Sequence, residues 1–127
     1  MTDFFLHAHS GIRYLVLLAG VLTVLYSLYG LISGSSYDYK MRFLSSSFAG
    51  LIHLQILLGL VLIFSGRFQP AVAGHILMMV FAGAAGQIPV SVMRRRPNEE
   101  KTYLPHFIWA LTALAIIFLG LKAIGRP

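Results

Sequence analysis

Histidine and arginine side chains interrupt an otherwise apolar chain, and these residue types can ligate a metal, move a proton or hold a charge. Six of them lie in or beside apolar runs: His7, His9, Arg13, His53, His75 and His106. Three of the six fall in the first apolar run, "FFLHAHSGIRYLVLLAG" at residues 4–20. Polar groups cost free energy in apolar surroundings, so their placement indicates a site that needs them.

The rest of the composition excludes several kinds of site. The chain has no cysteine, which rules out disulfides, thiolate metal sites, iron–sulfur clusters and covalently attached haem. The acidic residues are Asp3, Asp38, Glu99 and Glu100, and each falls near an end or in a loop. Because a proton-coupled antiporter or a carboxylate di-iron bundle needs acidic side chains within its helices, neither fits this chain.

The composition of the segments that contain these residues is typical of a membrane protein. Of the 127 residues, 57% are hydrophobic and 11% are charged, and the mean hydropathy is +0.79. A soluble domain carries about 25% charged residues. This composition predicts an integral membrane protein that forms one domain over residues 1–127.

Four apolar segments approach the ~20 residues that cross a bilayer as a helix. They cover residues 12–33, 43–64, 71–93 and 104–124. Pro70 and Pro105 stand where helices would begin, a position that tolerates proline, and Pro89 is expected to bend the third span. The predicted fold is all-α, an up-down-up-down four-helix bundle. A cleavable signal peptide is not expected, because no basic segment precedes the first apolar run.

The distribution of basic residues predicts the orientation of the bundle. The first and third loops share one side of the membrane and contain Lys40, Arg42, Arg94, Arg95, Arg96 and Lys101. The positive-inside rule then places both termini on the outer, periplasmic side of a bacterial inner membrane. The net charge of +6 is interpreted as this topological signal, and binding to nucleic acid is not expected.

This topology brings certain histidines to a similar depth. His9 lies at the outer end of the first span, and His75 lies roughly 6 Å inside the outer end of the third. A b-type haem takes two imidazoles on facing helices, so His9 and His75 form the best pair, with His7 as a substitute for His9. His53 lies roughly 15 Å from either surface. It could pair with His75 only if the helices tilt strongly, and Gln55 or nearby serines are its candidate hydrogen-bond partners.

Arg13 lies one helical turn beyond His9 on the same face. An arginine near the outer surface can pair with haem propionates, or it can extend to the lipid headgroups instead. His106 has no histidine near its depth, and both His106 and His7 are interpreted as interfacial histidines with nothing bound.

Three segments together resemble small bacterial four-helix membrane proteins labelled cytochrome b-like. They are "HSGIRYLVL" at residues 9–17, "IHLQILLGL" at residues 52–60 and "GHILMM" at residues 74–79. The resemblance implies non-covalent haem b as the cofactor and the lipid bilayer, quinone and other redox proteins as partners. The cofactor-binding residues that it implies are His9, Arg13, His53, Gln55 and His75, of which His9, His75 and His53 are the candidate iron ligands.

Three functions remain open at this stage. The first is an electron carrier, alone or as a subunit of a respiratory or photosynthetic complex, rather than an enzyme in its own right. The second is a cofactor-free accessory subunit whose helices pack against a larger membrane complex. The third is the handling of Cu(I) by His75, Met78 and Met79, because thioethers lie one turn from an imidazole.

Overall fold

The computed structural model describes residues 2–67 and 70–123, with side chains described for residues 4–64, 66 and 73–122. The α-helices of this part are α1 Thr2–Ser33, α2 Tyr39–Leu62, α3 Pro70–Arg95 and α4 Leu104–Ala123. A π-helical turn, Ile63–Arg67, follows α2, and a 3-10 turn, Asn98–Glu100, precedes α4. The all-α class predicted from the sequence is confirmed.

The ends of the helices follow from local chemistry. Gly34, after α1, has a φ of 68°, and Gly66, in the π turn, has a φ of 89°, a region that glycine enters without strain. The carboxylate of Asp38 accepts a 3.3 Å bond from the Met41 N–H and caps the start of α2. Pro70 is the first residue of α3 and Pro105 the second of α4, as expected for proline in a first turn.

The first helix begins earlier than its predicted span. α1 starts at Thr2 rather than near residue 12, so His7 and His9 lie within the helix instead of at its mouth. Nothing between residues 2 and 11 stops a helix, since this stretch contains no proline and Gly11 stays inside the helix. Thr2–Ser33 would span about 48 Å, well above the ~30 Å of a hydrocarbon core.

The helices form a closed four-helix bundle. Each helix packs against its neighbours in sequence, α1 also packs against α4, and α2 barely touches α4 across the diagonal. Short connections between such neighbours give the predicted up-down-up-down order. The connections at residues 34–38 and 96–103 lie at one end, called here the loop end.

Every one of these helices is long and apolar enough to cross a membrane. The candidate spans are Phe4–Ser33, Tyr39–Leu62, Ala73–Arg95 and Leu104–Lys122. Large apolar side chains cover much of the outer surface, including those of Leu15, Leu18, Leu25, Leu57 and Phe118. This surface suits contact with lipid, and by helix length and composition the chain is an integral membrane protein.

Small side chains let the helices approach closely in the middle of the bundle. Ala82, Ala85, Ala110 and Ala113 are buried around the larger Phe48. A Cβ atom built on Gly20 would lie 2.5 Å from Leu114, so α1 and α4 are in contact through the glycine itself. Membrane helices associate largely through such close packing, because lipid provides no hydrophobic drive between them.

The loop end is held by a buried histidine. His106 is 0% exposed, and its Nδ1 and Nε2 atoms lie 2.9 Å from the Ser45 hydroxyl and 2.8 Å from the Tyr37 hydroxyl. The sequence did not predict this burial, although His106 lies in the first turn of α4, at the end of the predicted span. The first connection folds Tyr37 over the start of α4, where the Tyr37 ring covers the imidazole of His106.

Two further tyrosines fasten the same connection. Tyr26 donates a 2.6 Å hydrogen bond to Asp38, and Tyr103 donates a 2.7 Å bond to the backbone carbonyl of Ser36. The ring of Tyr103 packs against that of Tyr37, with centroids 5.5 Å apart. Burial raises the pKa of Tyr37 to about 12, so this phenol keeps its proton at neutral pH.

Replacement of Tyr37 by phenylalanine is expected to destabilise the bundle. The variant leaves a nitrogen of buried His106 without its partner, which costs about 1–3 kcal/mol. The free energy of unfolding, measured by denaturant titration in detergent, is the readout. Tyr39→Phe is the control, because Tyr39 is 75% exposed and its loss is expected to cost less than about 0.5 kcal/mol. Equal losses in the two variants would contradict a structural role for the Tyr37–His106 bond.

Candidate ligand-binding cavity

A cavity of about 700 Å³ opens between the helices at the end opposite the loop end, called here the cavity end. All four helices line it, mostly with aliphatic side chains: Leu6, Val16, Ile52, Ile56, Ile76, Val80, Ile117 and Leu121. Its polar lining side chains are those of His9, Ser10, Arg13, Gln55 and His75. An apolar cavity of this size with a few convergent polar groups is typical of a small-molecule or cofactor site.

Two histidines from different helices line this one cavity. His9 lies two turns from the start of α1, and His75 lies in the second turn of α3. The sequence placed these two residues at similar depth, and the structure brings them together with Arg13 and Gln55. Four of the five residues in the predicted cofactor site therefore share one cavity.

The tautomer of His75 follows from its hydrogen bond. The Nδ1 atom lies 2.9 Å from the backbone carbonyl oxygen of Gly120 on α4. A carbonyl can only accept, so Nδ1 carries the hydrogen and the Nε2 atom of the neutral ring holds a free lone pair. A histidine that donates Nδ1–H to a backbone carbonyl and keeps Nε2 available is the usual state of a metal-ligating imidazole.

The opposite wall carries two polar atoms without partners. The side-chain amide of Gln55 donates a 2.9 Å bond to the backbone carbonyl of His9, which fixes α2 against α1 at this level. The Gln55 Oε1 and His9 Nδ1 atoms are buried, and they are the two buried side-chain nitrogen or oxygen atoms that lack a hydrogen bond within the described residues. Each such atom costs about 1–3 kcal/mol unless a ligand or water satisfies it.

Arg13 lies partly in the cavity wall and partly against a neighbouring ring. Its Nη2 atom donates a 2.7 Å bond to the Tyr14 hydroxyl, and its guanidinium carbon lies 4.7 Å from the centre of the Tyr14 ring. A guanidinium has five N–H donors, so four remain after this bond. Arg13 can therefore face an anion in the cavity while Tyr14 holds its outer side.

The structure separates His53 from the other predicted site residues. His53 is exposed on the outside of the bundle and does not line the cavity. Its Nε2 atom lies 3.0 Å from the Gln87 Oε1 atom on α3, and the Gln87 amide donates a 3.0 Å bond to Ser91. Its hydrogen-bond partner is thus Gln87, and neither Gln55 nor a serine takes that place.

The remaining candidate residues differ in whether they line the cavity. His7 is exposed and does not line it. Met79 lines it beside His75, whereas Met78 does not, so the proposed Cu(I) set is only partly assembled. Within the described residues no group of three or more His, Asp or Glu could hold a metal ion. Two imidazoles facing one cavity suit a metal that brings its other ligands with it, as the iron of haem does.

Two groups that shape these sites were missed in the sequence. Gln87 is a single amide inside an apolar span, and such a residue in a membrane helix is itself a signal of a polar contact. No sequence signal marks the Gly120 carbonyl as an acceptor, because every residue has a backbone carbonyl. Only the packing of α3 on α4 shows that this one receives the His75 N–H.

Comparison with known proteins gives no relative. No protein-family model, curated protein or solved structure matches this chain. The likeness to cytochrome b-like proteins therefore depends on the three short segments quoted above.

Replacement of Gly120 by alanine is expected to loosen the contact between α3 and α4. The added Cβ atom would collide with the Met79 methyl group and would lie 3.2 Å from the Met78 Cβ atom, which cannot move without its helix. The expected loss is about 1–3 kcal/mol in the free energy of unfolding. Gly50→Ala is the matched control, since nothing lies within 4 Å of the place its Cβ atom would take, and it is expected to be neutral or stabilising. A Gly120→Ala variant as stable as Gly50→Ala would contradict the close contact.

Proposed function

We propose that the chain binds one non-covalent haem b in the cavity at the cavity end and carries single electrons within a membrane. His9 and His75 would hold its iron, and Arg13 would supply a positive charge to its carboxylates. The support comes from the geometry of the cavity and from the resemblance in sequence, which have His9, Arg13, Gln55 and His75 in common.

Two orphaned atoms in the cavity wall carry this proposal. Gln55 Oε1 and His9 Nδ1 are buried and have no hydrogen-bond partner in the part of the chain that the structure describes, and both belong to side chains that line the cavity. A folded protein retains such atoms where a bound group or an ordered water completes the site. The imidazole of His9 is suited to ligation, and Gln55 Oε1 would accept its hydrogen bond from water in the same cavity.

The two histidines would hold the iron from opposite helices. His75 has a free Nε2 lone pair, because its Nδ1–H is bound to the Gly120 carbonyl. Gln55 holds the backbone of His9 and thereby positions the first ligand. Haem held by two histidines would supply a one-electron couple, and no residue role in the cavity is left over for a substrate of its own. The chain is therefore proposed as a carrier and not as an enzyme in its own right.

The depth of Arg13 in the membrane favours an interaction with the charged groups of haem. If α1 enters the hydrocarbon at Ser33, about 20 residues carry it across, and Arg13 lies near the far boundary. Arg13 would offer its positive charge and its free N–H donors to the carboxylates of a bound haem. Such charge-assisted bonds are roughly twice as strong as neutral ones, and Arg13 would also influence the redox potential.

The orientation and the partners belong to the same proposal. Basic residues cluster in the third connection and in the helix ends beside both connections at the loop end, and by the positive-inside rule they would put that end in the cytoplasm. The cavity end and both termini would then face the periplasm of a bacterial inner membrane. Electrons would pass between the quinone pool and a periplasmic acceptor, with the chain acting alone or within a respiratory or photosynthetic complex.

When the protein is expressed with haem supplied and then purified, its reduced-minus-oxidised spectrum is expected to show b-type bands. His75→Ala and His9→Ala are each expected to lower haem affinity by at least about tenfold, because each removes a ligand. The measurement is the haem-to-protein ratio in detergent after size-exclusion chromatography, which also reports whether each variant remains folded.

His7→Ala and His53→Ala are the matched controls for that experiment. Both histidines lie outside the cavity, so these variants are expected to keep wild-type haem content. Absence of b-type bands in the wild-type protein would overturn the proposal. Full haem content in the His9→Ala/His75→Ala double variant would overturn the choice of ligands.

One observation favours the alternative of a cofactor-free accessory subunit. His53, Gln87 and Ser91 form a hydrogen-bonded chain along α2 and α3, and His53 is exposed to the membrane side near the middle of its span. Polar side chains at that depth often bond to a neighbouring membrane helix. In this alternative, that chain would contact a subunit of a larger complex.

The alternative predicts a different response to mutation. His53→Leu/Gln87→Leu is expected to release the protein from a complex isolated from its native membranes, and His9→Ala/His75→Ala is expected to leave assembly unchanged. Blue-native electrophoresis measures both. A complex that survives the loss of His53 and Gln87 would contradict the accessory role of this surface.

A further inference from the structure

A second cavity, of about 350 Å³, lies at the loop end, where the first connection meets the third. Its lining residues are Tyr37, Asp38, Tyr39, Arg42, Asn98 and Lys101. In contrast to the cavity end, most of these side chains are charged or can donate hydrogen bonds. This site is independent of the histidine cavity and of any haem.

The one acidic side chain in this lining is already engaged within the protein. Asp38 Oδ1 accepts the Met41 N–H at the start of α2, and Asp38 Oδ2 accepts the Tyr26 hydroxyl at 2.6 Å. Both carboxylate oxygens therefore have partners on α1 and α2. Asp38 is a structural cap of the connection, and these donors hold its carboxylate in place.

The two cations of the lining lack acidic partners. Neither Arg42 nor Lys101 forms a salt bridge with an acidic side chain among the residues that the structure describes. Glu99 and Glu100 are exposed next to Lys101 in sequence, but they do not line the cavity. The lining thus carries two positive charges, one from the first turn of α2 and one from the last part of the connection to α4, against the single negative charge of Asp38.

The other lining groups add donors without adding charge. Asn98 contributes an amide and Tyr39 an exposed phenol. Tyr37 is hydrogen-bonded to buried His106, and its raised pKa keeps its phenol neutral, so it adds no negative charge to the site. A guanidinium, an ammonium and neutral donors around one space match a tetrahedral oxyanion.

We propose that this loop-end cavity binds a phosphate group, carried either by an anionic lipid headgroup or by a soluble phosphate compound. Arg42 and Lys101 provide the counter-charges, and Asn98 provides a neutral donor. A volume of about 350 Å³ holds the phosphate and the part of the molecule next to it. The candidate spans end at Ser33 and begin again at Tyr39, so the site lies at the level where headgroups reside.

Native mass spectrometry of the full chain in a maltoside detergent, freed of phospholipid, tests this site with two probes. Phosphatidylglycerol represents the lipid source, and inorganic phosphate represents the soluble source. We expect the wild-type protein to bind at least one of these two probes after it is added. Arg42→Gln/Lys101→Gln is expected to weaken that binding by at least about tenfold, because both counter-charges are lost.

Lys40→Gln/Arg95→Gln is the matched control, since it removes the same two positive charges from exposed positions outside the cavity. It is expected to change binding by less than about twofold, because the lost charges are screened by solvent. Retention of phosphatidylglycerol alone assigns the site to a lipid, and displacement of that lipid by inorganic phosphate assigns it to a soluble compound. Binding of neither probe, or equal weakening in the two double variants, would overturn the proposal.

Discussion

In hydrocarbon, every backbone N–H and C=O group must find its partner within the protein, and helices meet this requirement on their own. In this chain the polar groups that remain for binding are therefore side chains and the backbone groups of helix ends. Apart from the bonded chain of His53, Gln87 and Ser91, the described histidines and charged side chains gather at the two ends of the bundle. One end has two histidines, Arg13 and Gln55 around an apolar cavity. The other has tyrosines, a buried histidine and two cations.

The cavity reflects how large rings are distributed along the bundle. Phe48 fills the middle of the interior, where alanines surround it. Towards the cavity end, Phe64 and Phe118 face outward and are 85% and 55% exposed. The interior there is left to aliphatic chains and to His9 and His75, which do not fill it. An apolar ligand of the size of the cavity would restore the packing density that protein interiors usually reach.

The sequence predicted the features that depend on hydropathy and on depth. It predicted the four spans, the prolines at the starts of α3 and α4, and the approach of His9 to His75, because helix rise and span limits determine these. It could not predict the rotation of each helix about its axis. In uniformly apolar segments that rotation is set by packing, and it decides that His53 meets Gln87 outside the cavity. The burial of His106 was missed for a related reason, since it depends on how a short connection folds.

The bond between His75 and Gly120 ties a residue of the cavity to the position of α4. The Gly120 carbonyl lies on α4, and it accepts the Nδ1–H of His75 from α3. A shift of α4 along its axis by one residue, about 1.5 Å, would move this acceptor away from the imidazole and release the ring to rotate. The orientation of a residue in the cavity thus depends on the position of a helix on which it does not lie.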